Sequence, residues 1–358
     1  MWLLLLLLPA IAASSSLTIP HTDPSISYLG RFSASSSSTS FSWTHSSVRI
    51  QVANTTSVSA TLSGGSDSDR FLVVLDAVPL DPFVVSHSAS SYELASSLDP
   101  SLPHTLELIK ITEDNTQKKS KGTSTFSSFS LSPASTASLL PFEGKDRLLH
   151  FVGDSDTAGW CADGTPSSAD DFKKTQNSHV TWAGQLARAL DAEFTATAVS
   201  GSGVLDWPIM QYLDNTMTFD DSVSYDWGEE TPDAVVILIG PNDSSDKTKK
   251  FESAYLSLLE LLADRYQKSP VPPKLINVCG GSINGLDPCE EITAVVKTYN
   301  SNNEKGGEAS FVSIEEETWD KINKRRNGYL GCDAHYAESG HAALTGDILE
   351  QVREVMGW

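Results

Sequence analysis

The sequence lacks any dense block of basic residues: 25 Lys and Arg stand against 46 Asp and Glu, a formal charge of −21. A surface of that sign repels phosphate backbones, so a nucleic-acid partner is not expected. The single basic run, Lys118 to Lys121, sits in a polar stretch and reads as a solvated turn. Long apolar runs are missing after the first residues, so no later segment is suited to crossing a bilayer. Cysteine is scarce. The four present, Cys161, Cys279, Cys289 and Cys332, show none of the close paired spacing of zinc or redox motifs. Neither a metal nor an organic cofactor is expected. The GxSxG nucleophile elbow is also absent.

What is present supports more than one core: 358 residues, 39% of them apolar. The opening MWLLLLLLPAIAASSS is a short apolar block followed by small residues. It is too short to span a bilayer and has the shape of a signal peptide over residues 1–16, a membrane anchor being the alternative. The expectation is a secreted chain with no membrane association in its mature form. An even number of cysteines in such a chain suggests disulfides, with three possible pairings. Cys279 with Cys289 is favoured, because CGGSINGLDPC is a glycine-rich loop able to fold back on itself. That leaves Cys161 for Cys332, with free thiols as the alternative. Asn54-Thr55-Thr56 is an acceptable glycosylation sequence and agrees with secretion.

Two textures divide the remainder. Residues 17–142 are rich in Ser and Thr and contain SVRIQVA, SVSATLS, RFLVVLDAVP and HTLELIKIT. Period-two alternation broken by Ser, Gly, Pro and Asn predicts an antiparallel β-sandwich, with Ser35–Thr39 as a loop. Residues 146–358 alternate strand-like and helix-like runs: RLLHFVGDS, HVTWAGQLARAL, EFTATAVSGSG, AVVILIGPND, FESAYLSLLELLADRY, KLINVCGG, ITAVVKTYN, ASFVSI and a final helix from about Ser339. That alternation predicts a parallel sheet covered on both faces. Functional residues then gather at the carboxyl ends of its strands.

Four residues fall at such ends. Ser155 follows the first strand beside Gly153, and a serine hydroxyl becomes a useful nucleophile when a base takes its proton. Gly201 ends the second strand, where a backbone N–H can approach a developing oxyanion. Asn242 follows the third and can donate a side-chain hydrogen bond to the same oxygen. It also heads the sequon Asn242-Asp243-Ser244 and could serve as an Asx turn. Last comes GCDAHYAESGH, with His335 as the natural general base, Asp333 as its possible orienting partner and His341 as the alternative base.

The ordered blocks GDSDTAG, VSGSG, GPND and DAH resemble those of the SGNH (GDSL-like) hydrolase superfamily. The preceding β-rich region, with Leu29-Gly30-Arg31-Phe32 and LPHTLELIKIT, is similar to carbohydrate esterase family 2. The resemblance implies an N-terminal jelly roll followed by an SGNH, flavodoxin-like α/β domain. It implies Ser155 as nucleophile, His335 as base, and an oxyanion hole from the Ser155 N–H, the Gly201 N–H and Asn242. The chain departs from that pattern at several points. Asp333 stands two rather than three residues before His335, so a backbone carbonyl could orient the imidazole instead, as in the dyads of family 2. Tyr336 replaces a common proline, Ala334 stands where an aromatic sugar platform is frequent, and Asp156 stands where an apolar residue is usual.

The activity so implied is removal of O-acetyl groups from a polysaccharide or oligosaccharide of xylan or glucomannan type, through an acetyl-serine intermediate. Trp160 and Trp207, near the Ser155 and Gly201 blocks, are candidates to stack on sugar rings, or else belong to the core. Other readings are a lipase or arylesterase of the same superfamily, or an inactive carbohydrate-binding protein.

Overall fold

The structure is a computed structural model that describes residues 15–66, 69–114, 123–168, 172–228, 230–243, 248–279, 288–302, 307–323 and 328–358. The N-terminal apolar block up to residue 14, Lys118–Lys121, Ser244 and the interior of the 279–289 loop lie outside the described residues.

The N-terminal domain is a sandwich of two antiparallel sheets. In one, Ser57–Ser63 lies between Ser90–Ser96 and Ser124–Ser132, and Thr39–Phe41 and Leu17–Pro20 also pair with Ser124–Ser132. In the other, His104–Lys110 lies between Ser47–Ala53 and Asp69–Leu75. The period-two pattern sends Val58, Ala60 and Leu62 inward from one sheet and Val48, Ile50, Val52, Leu106 and Leu108 from the other. These join Phe71, Phe126 and Phe129 in one core, the arrangement that alternating strands require. Ser35 and Ser38 close a tight hairpin, with the Ser35 N–H donating to the Ser38 carbonyl at 2.9 Å.

The second domain is built on five parallel strands: β1 (Leu148–Gly153), β2 (Glu193–Ala198), β3 (Ala234–Leu238), β4 (Lys274–Cys279) and β5 (Ala309–Ser313). Their spatial order is β2-β1-β3-β4-β5. Helices Thr248–Arg265 and Cys289–Asn302 cover one face, and Trp182–Ala189 and Glu338–Met356 cover the other. Within β1 the faces alternate, Val152 belonging to the first core and Leu149 and Phe151 to the second. The chain leaves β1 toward β2 on one side and later returns to β3 on the other. The carboxyl end of β1 is therefore the switch point of the sheet, where this topology opens a crevice.

The two domains meet through apolar and polar contacts: Trp43 of the sandwich is buried in the core of the second domain, and polar links surround it. Arg31, from the sandwich, donates to the carbonyls of Leu213 and Asn215 at 2.6 and 2.7 Å. Its guanidinium lies over the rings of Tyr225, Trp227 and Trp43 at 4.0, 5.0 and 5.3 Å. Burial pulls its pKa down to about 10, and the aromatic faces offset part of that cost. Arg49 pairs with Glu193 at 2.6 Å, and Arg70 reaches the Gln176 carbonyl and Asp163 at 2.7 and 2.9 Å.

Candidate active site

Ser155 opens a four-residue helix directly after β1. Gly153 is required there, because a Cβ would lie 2.1 Å from Thr157 Oγ1 and 2.9 Å from the Leu238 carbonyl. Asp154 caps the helix, its carboxyl accepting the Asp156 N–H at 3.1 Å. Ser155 is only 7% exposed, so its hydroxyl works in a largely water-excluded setting.

The partner of that hydroxyl is His335, whose Nε2 lies 2.8 Å from Ser155 Oγ across 180 residues of sequence. His335 Nδ1 lies 2.7 Å from the backbone carbonyl of Asp333, and the Asp333 carboxylate is 4.0 Å away. A carbonyl only accepts, so Nδ1 carries the proton and Nε2 presents its lone pair to the serine. The local backbone explains this choice. Cys332 to His335 forms a tight turn, closed by His335 N–H to Cys332 O at 3.0 Å. Its two central residues, Asp333 and Ala334, have φ of +49° and +55°. That pair of left-handed residues, as in a primed turn, brings the Asp333 carbonyl to the imidazole. Leu330 bridges Tyr336, and Gly331 N–H donates to the His335 carbonyl at 2.9 Å, so a miniature hairpin carries the histidine. A disulfide joins Cys332 to Cys161, just after the Ser155 helix, and a second joins Cys279 to Cys289.

Gly201 follows β2 with φ of +84°, and an added Cβ would lie 3.3 Å from the Trp207 ring. Both facts call for glycine. Asn242 Nδ2 donates to the Ser202 carbonyl at 2.9 Å and to Asp154 Oδ2 at 3.1 Å. Both amide hydrogens are thus directed within the Ser155–Gly201 region. Burial, with the neighbouring Asp156 carboxylate, pushes Asp154 up to about 8, and burial takes Asp156 up to about 7.

His341 is fully buried, stacks edge-on with Tyr336 and is pushed down to about 3 by burial, which removes it as a base for Ser155. Trp160 packs with the Cys161–Cys332 disulfide, its ring centroid 6.2 Å from that of His335. Trp207 is half-buried, lies over Gly201 and donates through Nε1 to the Tyr212 hydroxyl. Ala334 is exposed and offers no ring.

Two residues outside the sequence-level set shape the site. Asp243 accepts from the N–H groups of Val204, Leu205 and Asp206, each at 2.8 Å, and so ties the loop that follows Gly201 to the end of β3. Glu113, from the sandwich, grips Ser200. Asp243 is signalled by its place in IGPND at a strand end, whereas no local pattern marks Glu113, which directly follows LPHTLELIKIT. A cavity of about 100 Å³ opens beside Ser155 and His335. Leu238, Ile239, Val278, Ile292 and Leu344 form its apolar wall, with Asp154 and Asp156 near the serine. Among the described residues, no group of three His, Cys, Asp or Glu could hold a metal ion.

Fold and site together define a two-domain α/β protein with a serine–histidine pair at the switch point of its sheet. The chain belongs to the GDSL-like lipase/acylhydrolase family, which it matches over residues 151–343, and residues 28–141 match the carbohydrate esterase 2 N-terminal domain. The cellulase/esterase CelE of Acetivibrio thermocellus is 30% identical over 363 residues, covering 97% of this chain and 41% of its own length. The acetylxylan esterase/glucomannan deacetylase of Cellvibrio japonicus is 28% identical over 200 residues, 52% of each chain. The chain thus spans about half or less of the length of these curated relatives. A family two carbohydrate esterase from Clostridium thermocellum, solved in complex with cellohexaose, superposes with a TM-score of 0.78 at 27% identity, covering 93% of this chain and 99% of that one.

Proposed function

We propose that this protein is a secreted serine esterase that removes O-acetyl groups from a polysaccharide or its oligomers. The observation that carries the reading is the 2.8 Å contact between Ser155 Oγ and an imidazole whose tautomer is fixed by the Asp333 carbonyl. In the first step His335 Nε2 takes the hydroxyl proton as Ser155 Oγ attacks the acetyl carbonyl. The N–H groups of Ser155 and Gly201 and the Asn242 amide receive the negative oxygen. For Asn242 this means exchanging its 3.1 Å bond to Asp154 for one to the substrate. The protonated His335 then passes its proton to the leaving sugar oxygen, and water hydrolyses the acetyl-serine by the same route.

A carbohydrate substrate is supported by the names of the relatives and by the cellohexaose complex of the similar esterase. Secretion is supported by the two disulfides, by Asn54 standing exposed in its sequon, and by the apolar N-terminal block. Among the described residues, no helix is long and apolar enough to cross a membrane. The apolar cavity beside Ser155 favours a second reading, an esterase for longer acyl chains.

The test is acetate release from 4-nitrophenyl acetate and from acetylated xylan or glucomannan, alongside a series of longer acyl esters. Activity in the wild type and none in Ser155→Ala supports the serine esterase. Equal activity in both removes Ser155 as the nucleophile. A preference for long chains moves the second reading forward, and a folded, inactive wild type points to glycan binding without turnover.

A further inference from the structure

Just past the sandwich strand His104–Lys110, the chain dips between the two domains and buries Glu113, which is 2% exposed. Among the described residues no arginine or lysine donates a hydrogen bond to its carboxyl group, and Lys110 acts on it only through its charge. Instead Oε2 accepts the Ser200 N–H at 2.9 Å, and Oε1 accepts the Ser200 hydroxyl. Ser200 immediately precedes Gly201. On the other side, the Glu113 N–H donates to Gln176 Oε1 at 3.2 Å, and Gln176 Nε2 donates to the Ala158 carbonyl at 3.3 Å. Gln176 is fully buried, and Ala158 ends the short helix that Ser155 begins. One sandwich residue therefore links the turn bearing Gly201 to the helix bearing Ser155.

From this juxtaposition we infer that Glu113 is a positioning residue for the oxyanion hole, which makes the β-sandwich a contributor to catalysis as well as a neighbour of the catalytic domain. The inference rests on the esterase reading given above. Holding both the N–H and the hydroxyl of Ser200 fixes that residue's backbone and side chain. The plane of the next peptide, which carries the Gly201 N–H, is then fixed too. Gly201 has no side chain with which to anchor itself, and the left-handed φ it adopts is one that glycine leaves readily. A donor must lie within hydrogen-bond distance of the oxygen that develops charge, and misplacement by about 1 Å costs up to about 10²-fold.

The test compares wild type, Glu113→Ala, Glu113→Gln, Ser200→Ala and Ser155→Ala on 4-nitrophenyl acetate, with inhibition by methylboronic acid as a probe of the tetrahedral state. Glu113→Ala should lower kcat by about 10- to 100-fold with KM nearly unchanged, and should weaken boronate inhibition by a similar factor. Glu113→Gln keeps an oxygen for the Ser200 N–H and should recover most of that loss. A folded Glu113→Ala with wild-type kcat and boronate affinity overturns the inference, as does a loss confined to thermal stability. Should Glu113→Ala fail to fold, Ser200→Ala decides: a kcat lowered by about threefold or more at constant KM supports the positioning role, and an unchanged kcat overturns it. An inactive wild type, or Ser155→Ala as active as wild type, overturns the esterase reading itself. An active wild type with a dead Ser155→Ala isolates any failure to Glu113.

Discussion

His335 Nδ1 is bonded to the main-chain carbonyl of Asp333 at 2.7 Å, while the carboxylate of the same residue lies 4.0 Å off and 53% exposed. The group that orients His335, the proposed base, is thus a peptide carbonyl, which fixes the tautomer without adding a buried negative charge. Asp333→Asn should therefore keep kcat within about threefold of wild type, since asparagine tolerates the left-handed φ and leaves the carbonyl in place. In a site where the carboxylate itself orients the histidine, the same change costs about 10⁴-fold. A kcat loss for Asp333→Asn above about a hundredfold would show that the carboxylate moves onto His335 during turnover.

Gly201 carries the second prediction. Alanine there meets a φ of +84° and a Trp207 ring 3.3 Å from its Cβ. The turn has to rotate, and the Gly201 N–H rotates with it. Gly201→Ala should lower kcat on 4-nitrophenyl acetate by about 10²-fold, the range for loss of one oxyanion donor. Trp207→Ala in addition opens the space but leaves the φ penalty, so the double variant should stay well below wild type.

Much of this architecture is legible in the sequence because it rests on periodicity. SVSATLS appears as Ser57–Ser63 with its Val58, Ala60 and Leu62 inward, and AVVILIG supplies the fully buried β3. Three further polar or glycine residues, Ser155, Gly201 and Asn242, stand out because each interrupts an apolar run at its carboxyl end. Glu113, Gln176 and Arg31 do not stand out in the same way. Their roles are polar contacts across more than 60 residues of sequence, and no local pattern marks a carboxyl group that faces Ser200. The choice between the carbonyl and carboxylate of Asp333 depends on two positive φ angles that Asp and Ala do not announce.

The Cys161–Cys332 disulfide closes a separation of 171 residues and joins the segment after Ser155 to the hairpin of His335. By the chain-entropy relation, a loop of that length is worth about 5 kcal/mol to the folded state. The paired Cys161→Ser, Cys332→Ser variant should melt at a markedly lower temperature. At temperatures where it remains folded, it should also lose kcat, because the cross-link anchors the Asp333–Ala334 turn to the segment that follows Ser155. Wild-type kcat in a folded, destabilised variant would limit the disulfide to stability.

The last prediction follows from three buried carboxyl groups: Asp154 near 8, Asp156 near 7 and Glu113 near 7, all raised chiefly by burial. In the unfolded chain such groups lose their protons near pH 4, so between about pH 4 and 8 the folded state binds more protons than the unfolded one. Stability therefore falls as pH rises through that window, opposite to the trend from salt-bridged carboxylates. Asp156 is the clearest case, because among the described residues its Oδ1 has no hydrogen-bond partner. Asp156→Asn should be more stable than wild type by about 1–2 kcal/mol at pH 8, with the difference shrinking toward pH 5. Urea unfolding at both pH values reads this directly. An equal change at pH 5 and pH 8 would mean that Asp156 is ionised in the folded protein throughout, and that its neighbours compensate its charge.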